Sequence, residues 1–464
     1  MSTLNTNGET PNFNSEFDWQ RHPLADQLIR ALVEQACSNI PAASNLNQRM
    51  LKETGTRFVD WVDHVAVAPQ TLVNDIEIES ALSTAGFELT AQTADEKCFR
   101  HHGGLFVPVY VCNEFKDGPI RSRVAIKIDS VADFAAIHPM AGSVMGDESS
   151  QFRKAMVADS AGHQFWVCER HGWTQWSLCQ SPQPQIKLAI DVYAGFLKRP
   201  RKGFAGARAI IQDSVNRIGV DWACDLFFAA EREFWQSRNH AARVQRKRQD
   251  SLGLGWGNHD HHTYRSSRES FADMIECFEI LEFYCRERFY AGQQAGWGAQ
   301  VLEQTNTGVV IFADVDLSAE ELAGDFAHQG LAAQSELGTV GLWCQLHGEA
   351  FLAAGMHHLE CQFDFSDARK QLANEGVKSM DPFSDFEYLR QSFTQGEIWE
   401  VDPVRLNSAQ AKGFITAEQA EKFRTEGAVG SHLEILERND GFKGFNQTGV
   451  SEIILKTDPR KIKI

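Results

Sequence analysis

Several features are missing from this 464-residue chain, and each absence removes a class of function. No run of about 18 apolar residues occurs, so a membrane-spanning helix is not expected. The ten cysteines never form a CxxC pair. That argues against a zinc ribbon or redox dithiol and for reduced, mostly buried thiols; Cys277 and Cys285 sit within helix-like stretches. Basic residues are outnumbered, 45 Lys and Arg against 62 Asp and Glu, leaving a formal charge of -17 and a pI near 5.4. Neither nucleic acid nor an anionic membrane is an expected partner, because a binder of polyanions needs a basic face. The spaced glycines of Leu252-Gly253-Leu254-Gly255-Trp256-Gly257 lack the lysine of a phosphate loop and a Rossmann context, and read as a turn before a strand. No GxSxG elbow is present, which removes the commonest serine-hydrolase arrangement. The N-terminal residues Met1 to Glu16 show neither a signal-peptide core nor an Arg-rich amphipathic pattern, and the expected location is the cytoplasm.

What remains is an acidic globular protein, 43% hydrophobic and 23% charged, able to bury a large core. Residues 1–18 are rich in Asn, Thr, Ser and Gly and read as a disordered tail. Residues 19–149 then open with a helix or helix pair, on which Leu24, Leu28, Ile29, Leu32 and Val33 recur at helical spacing. A strand follows over Val62 to Val67, then a helix around Leu72 to Leu82 stopped by Gly86, then strands over Leu105 to Val111 and Arg123 to Ile128. Residues 251–464 repeat that order. A strand at His261 to Tyr264 precedes an amphipathic helix bearing Phe271, Met274, Ile275, Phe278, Leu281 and Cys285 and ending near Ala291-Gly292, with strands at Ala299 to Glu303 and Val309 to Val315 beyond. Strand, helix, strands, twice over, predicts an α+β protein of two βαβββ halves, each a curved sheet, with a metal between them. Residues 150–250 match neither half and read as a helical insertion. Within it, Trp166, Trp173 and Trp176 suit core or lid packing, and the basic run Arg238 to Arg248 suits a solvated helix face.

Three separated stretches carry metal-ligand chemistry: Asp63-His64-Val65, Asp260-His261-His262-Thr263 and Leu433-Glu434-Ile435. Each sets a donor in or beside an apolar, β-prone run, where alternation aims every second side chain at one face. Two imidazoles and a carboxylate with positions left open form the facial triad that suits non-haem Fe(II). In the middle stretch His259 and His261 are expected on one face of a strand and His262 on the other, which does not choose between them. Three imidazoles and a carboxylate so close together are costly to desolvate without a partner. An inward-facing Glu434 needs a cation, and Arg438 or a metal would supply it. A lesser candidate, His357-His358-Leu359-Glu360, lacks the helical HExxH spacing of zinc proteases.

With these residues in view, the chain resembles the 2-oxoadipate dioxygenase/decarboxylase (hydroxyglutarate synthase) family of the vicinal-oxygen-chelate superfamily. Asp63-His64-Val65-Ala66-Val67 is similar to that family's first metal-histidine strand, and Asp260-His261-His262-Thr263 to its Asn-His-x-Thr strand, which selects His261 over His259. Val301-Leu302-Glu303-Gln304 is similar to its Leu-Glu-Gln-Ser segment. Glu434 through Arg438, Gly444-Phe445 and Ile454 to Asp458 are similar to its closing stretch. The resemblance implies Fe(II) held by His64, His261 and Glu434, a 2-oxo acid substrate and O2 as co-substrate. It further implies Arg265 or Arg438 anchoring the substrate or orienting Glu434, with Glu303 and Gln304 supporting the ligands. The family's arginine four residues after the first metal histidine is Ala68 here. A methyl group cannot replace a guanidinium fork, so a dicarboxylate is not expected to be held there. Arg265, four residues after His261, would anchor a single carboxylate. Two alternatives stand beside the oxygenase: a Zn(II), Mn(II) or Ni(II) isomerase, lyase or hydrolase that does not use O2, and a non-catalytic small-molecule binding protein.

Overall fold

The computed structural model describes residues 19–113, 121–199, 201–290 and 296–461; the tail expected at 1–18 lies outside them. Helices α1 (Pro23–Asn39) and α2 (Pro41–Arg49) form the expected pair, each opening on a proline whose fixed φ and missing N–H suit a first turn. Leu28, Ile29, Leu32, Val33 and Ala36 form the buried stripe of α1. That stripe joins a core under a seven-stranded sheet.

The first sheet contains β1 (Val62–Val67), β4 (Glu88–Gln92), β5 (Glu96–Arg100), β6 (Val109–Cys112), β7 (Ser122–Lys127), β8 (Phe152–Ser160) and β9 (His163–Arg170). A small hairpin, β2 (Leu72–Val73) with β3 (Ile76–Glu77), leads into α3 (Ile78–Thr84). The strand order is β4-β5-β6-β1-β7-β9-β8. Thus β1-α3-β4-β5-β6 is one βαβββ module with its last strand beside its first. The segment β7-α4-β8-β9, with α4 at Val131–Ile137, repeats the module with one strand fewer, and an isolated Met145–Lys154 bridge stands in the missing place.

The second sheet repeats this plan. It contains β10 (His259–Arg265), β11 (Tyr284–Tyr290), β12 (Trp297–Glu303), β13 (Val310–Asp316), β14 (His358–Gln362), β15 (Ser384–Phe386), β16 (Leu389–Phe393), β17 (Glu397–Trp399) and β18 (Ala428–Arg438). Its order is β11-β12-β13-β10-β14-β18-β16-β15, with β17 also pairing β18. The α+β architecture of two open βαβββ-built halves is therefore present. Each half is itself a pair of modules, joined through antiparallel β1–β7 in the first and β10–β14 in the second.

Several boundaries differ from expectation: the stretch around Leu72 to Leu82 is the β2–β3 hairpin before it becomes helix at Ile78, and the strand expected from Leu105 starts at Val109. The segment 150–250 is not a helical insertion throughout: β8 and β9 complete the first sheet, and only then come α5 (Gln183–Leu197), α6 (Gly203–Ile218), α7 (Val220–Ser237) and α8 (His240–Asp250). The helix predicted to run past Cys285 is α9 (Phe271–Ile280); the chain turns at Glu282, whose φ is +60°, and Cys285 lies on β11. Helix α7 begins after Gly219, whose φ of 85° and ψ of 157° suit only glycine. It is buried nearly all round, with Trp222, Phe227, Phe228 and Trp235 in the core over the second sheet. Buried Glu231 on α7 accepts from Arg199, Arg201 and the Tyr264 hydroxyl (3.1 Å), which fastens α7 to β10. Among the described residues no helix is long and apolar enough to cross a membrane.

Candidate metal centre

The register of four adjacent strands assembles the site. His261 lies opposite Glu360 across β10–β14, and Glu360 lies opposite Glu434 across β14–β18. His358, two residues before Glu360, shares its face, and Phe393 of β16 lies opposite Glu434. His261, His358 and Glu434 each bring a ligand atom within 4.8 Å of the others, all three buried. Asp260, His261 and Glu360 form a second such group that shares His261.

One irregularity decides which histidine faces the site. Between His259 and His261 the β10 register advances two residues while β14 advances one, a bulge at Asp260. Alternation is broken there, so His259 does not share the face of His261 as expected. Its ring packs instead against His262, with centroids 5.2 Å apart.

The electrostatics call for a cation. His358 Nε2 lies 3.0 Å from Glu434 Oε2, and His261 Nδ1 lies 3.0 Å from Glu360 Oε1 and 3.3 Å from Asp260 Oδ2. Gln391 donates to both Glu360 and Glu434, at 3.1 Å each. Arg438 bonds Asp260 through Nε and Nη2 at 3.3 Å, reaches Glu360 at 3.5 Å, and spends Nη1 on the carbonyls of Phe442 and Gly444. Burial and the neighbouring Glu434 carboxylate push Glu360 well above the usual carboxylate range, and burial raises Glu434 too. Burial opposes charge on His261, but Glu360 and Asp260 outweigh it and push that ring up to about 10. Burial and the His261 charge hold His358 neutral, the state in which an imidazole ligates. Arg438 reaches Asp260 and Glu360 and leaves Glu434 without a guanidinium, and the donor set of two imidazoles and a carboxylate fits a divalent ion. A cavity of about 40 Å³ opens at this face, walled by Phe289, Trp297, Phe312, Phe393 and Phe445 and covered by Val450 and Ile454 of the helix Gln447–Lys456.

The other sequence candidates lie elsewhere or act indirectly. The structure does not bring His64 to His261 and Glu434. His64 belongs to the first sheet, where Nδ1 meets Asp63 at 2.7 Å, Nε2 accepts from Arg123 at 2.9 Å and Trp176 packs on the ring at 4.5 Å. With both ring nitrogens occupied it has no lone pair to offer; burial lowers its pKa to about 4. Arg438 holds the Asp260 and Glu360 carboxylates rather than Glu434, and is fully engaged. Arg265, on the face of His261, keeps Nε and Nη2 without hydrogen-bond partners, 3.9 Å from Asp314. Glu303 pairs with Arg286 at 3.1 Å. Gln304 latches a turn, accepting from the backbone of Asn306 and Thr307 and donating to Asp221. Sequence reasoning ranked the segment of His358 and Glu360 as a lesser metal candidate and did not single out Gln391. The available signal was His358-x-Glu360, the period-2 spacing of ligands on a strand, in a segment measured against a helical motif.

No family model matches the chain, and no curated protein matches it. Solved structures similar to it include a hydrolase described as putative from Shewanella frigidimarina NCIMB 400 (14% identity, 46% of this chain and 91% of that one, TM-score 0.32). Others are a mutant 4-hydroxymandelate synthase from Streptomyces coelicolor (10%, 87% and 99%, TM-score 0.29) and a Mn(II)-bound glyoxalase from Novosphingobium aromaticivorans (10%, 82% and 82%, TM-score 0.19). Similarity at this level assigns neither a family nor an activity to the chain.

Proposed function

We propose that the protein is a non-haem Fe(II)-dependent oxygenase and decarboxylase of a small 2-oxo acid, with the metal held by His261, His358 and Glu434. The observation that carries this reading is a buried pair of imidazoles and a carboxylate at neighbouring register positions, with ligand atoms within 4.8 Å of one another. When bound, Fe(II) supplies open coordination positions and one-electron chemistry toward O2. The chain's residues do the rest. Gln391 fixes Glu434 and Glu360, Asp260 fixes His261, and Arg438 fixes Asp260. The phenylalanine wall and the Gln447–Lys456 helix keep water from the face. Arg265 offers its two unpartnered nitrogens to the anionic end of the substrate, so a monocarboxylate is expected rather than a dicarboxylate.

Glu360 beside the triad favours a second reading: a fourth oxygen donor would suit Zn(II), Mn(II) or Ni(II) acting as a Lewis acid without O2. Metal content by mass spectrometry on anaerobically purified protein, beside oxygen uptake with a panel of 2-oxo acids, separates the two. Stoichiometric iron with substrate-dependent uptake is expected; zinc, manganese or nickel with no uptake would move the assignment to the Lewis-acid enzyme. A Glu434→Gln variant that keeps its full iron content would sink the proposed ligand set.

A further inference from the structure

A cavity of about 460 Å³ lies apart from the metal site. It lies where the ends of β7 and β9 meet α5, α7 and the start of β10, on the other side of the His259–His261 bulge. One wall is apolar, made by Ala189, Ile190, Trp222, Leu226, Ala229 and Trp256. The rest is charged, and the pairing of those charges is uneven.

Each carboxylate of the lining already has a donor. Asp129 accepts from Arg246 (2.7 Å) and the Trp256 backbone N–H (2.9 Å). Asp225 and Glu169 share His171, at 2.7 and 3.2 Å, and Glu233 accepts from the Tyr193 hydroxyl at 2.9 Å. Two cations are not matched in this way. Arg232 is only 8% exposed, yet among the described residues its one hydrogen bond is Nη1 to His262 Nε2 at 3.2 Å. Lys127, half-buried at the end of β7, forms no ion pair among the described residues. His259 has Nδ1 on the Trp256 carbonyl at 2.8 Å, which leaves Nε2 as an acceptor. Asp129 and Asp225 act on Arg232 only from beyond ion-pair distance, so a ligand oxygen in direct contact would relieve the cost of burying that guanidinium.

We propose that this cavity binds a small amphiphilic anion, with a carboxylate or phosphate head between Lys127 and Arg232 and an apolar body against Ile190, Leu226 and Trp222. The two head groups share the same recognition chemistry, charge-assisted hydrogen bonds to an anionic oxygen.

The test is calorimetric titration of the full-length protein with 4-phenylbutyrate, phenyl phosphate and the neutral 4-phenylbutanol at low and high salt. Saturable binding of at least one anion, weakened by salt, is expected, and the tighter of the two identifies the head group. Lys127→Met should weaken that anion about tenfold, the scale of one charge-assisted bond. Ala229→Phe should abolish binding by filling the cavity from α7, while Glu434→Gln leaves it unchanged. Lys127 is half-buried and forms no ion pair among the described residues, so its replacement spares the fold, checked by an unchanged melting temperature. Failure of both anions to bind, equal binding of the alcohol, indifference to Lys127→Met and Ala229→Phe, or loss of binding in Glu434→Gln would each overturn the proposal.

Discussion

Aligned strand by strand, the two halves put different chemistry at the same register positions. His64 opposite Ala125, and Ala125 opposite Trp166, correspond to His261 opposite Glu360, and Glu360 opposite Glu434. Arg123 then stands where His358 stands, and the bulge that turns His261 inward recurs between Val62 and His64. The outer latch also recurs, Asp63 with Arg170 and Asp260 with Arg438. What differs is the set of donors. In the second half two imidazoles and two carboxylates converge. In the first, one imidazole meets a guanidinium, and Trp166, Trp176 and Lys154 fill the face, with Lys154 Nζ 4.3 Å from the Trp176 ring. A guanidinium donates but cannot ligate, so the first half meets its histidine with a group that no metal can use, while the second meets its histidines with carboxylates that can themselves ligate. The scaffold offers the position twice, and side-chain identity decides where chemistry is possible.

The largest expected effect breaks this contrast at its centre. His358→Ala should abolish metal retention by the anaerobically purified protein, whereas His64→Ala should leave metal content at the wild-type level. Equal loss in both variants would return His64 to the ligand set. Next in size is the anchor that holds the helical cover to the second sheet. Glu231→Leu leaves Arg199 and Arg201 buried without their shared carboxylate, a change expected to cost about 3–5 kcal/mol in denaturant unfolding; a loss under about 1 kcal/mol would show that the two guanidiniums find other partners. Smaller again is the support of the ligands. Gln391→Ala removes the donor to Glu360 and Glu434 and should weaken metal affinity about 10–100-fold. Lys154→Ala, at the matching position of the first half, should not change it.

Much of this arrangement was legible in the sequence, and the gaps have physical causes. Apolar periodicity exposed α1, β1, β10, α9 and the repeated strand-helix-strand order, since burial imposes a period on any element with one wet face. The doubling of modules inside each half was hidden, because β7, expected as a strand over Arg123 to Ile128, reads locally as one more strand of its half, and its role as the start of a second module is set by its pairing with β1. His261 and Glu434 stood out as donors in apolar runs. His64 stood out equally, and nothing local to Asp63-His64-Val65 shows that Arg123, 59 residues away, takes its free nitrogen. The bulge at Asp260 was invisible for the same reason: it is a property of the pairing with β14, not of β10 alone.

The smallest expected effect sharpens the comparison one residue past the latch, where the first half has His171 and the second has Asn439. Asn439 cannot titrate; its side chain accepts from Arg30 and Arg57 at 2.9 and 2.7 Å. His171 faces Asp225 from α7 and Glu169 from β9, and Arg153 stands 3.6 Å from Glu169. Burial opposes its charge, but the two carboxylates prevail and push its pKa up to about 10, above an ordinary value of 6.5. A group raised on folding contributes stability that is complete below the unfolded pKa and is lost as the pH climbs through the folded one. The contribution of His171 should therefore be whole below about pH 6.5 and fall away toward pH 10. It is on the order of 1–2 kcal/mol once screening of a ring 20% exposed is allowed for. The melting temperature of the wild-type protein should decline between pH 7 and 10 more steeply than that of a His171→Asn variant, which copies the second half at this position. Parallel declines would mean that the imidazole between Asp225 and Glu169 is neutral in the folded protein, and that the two halves differ here in shape rather than in charge.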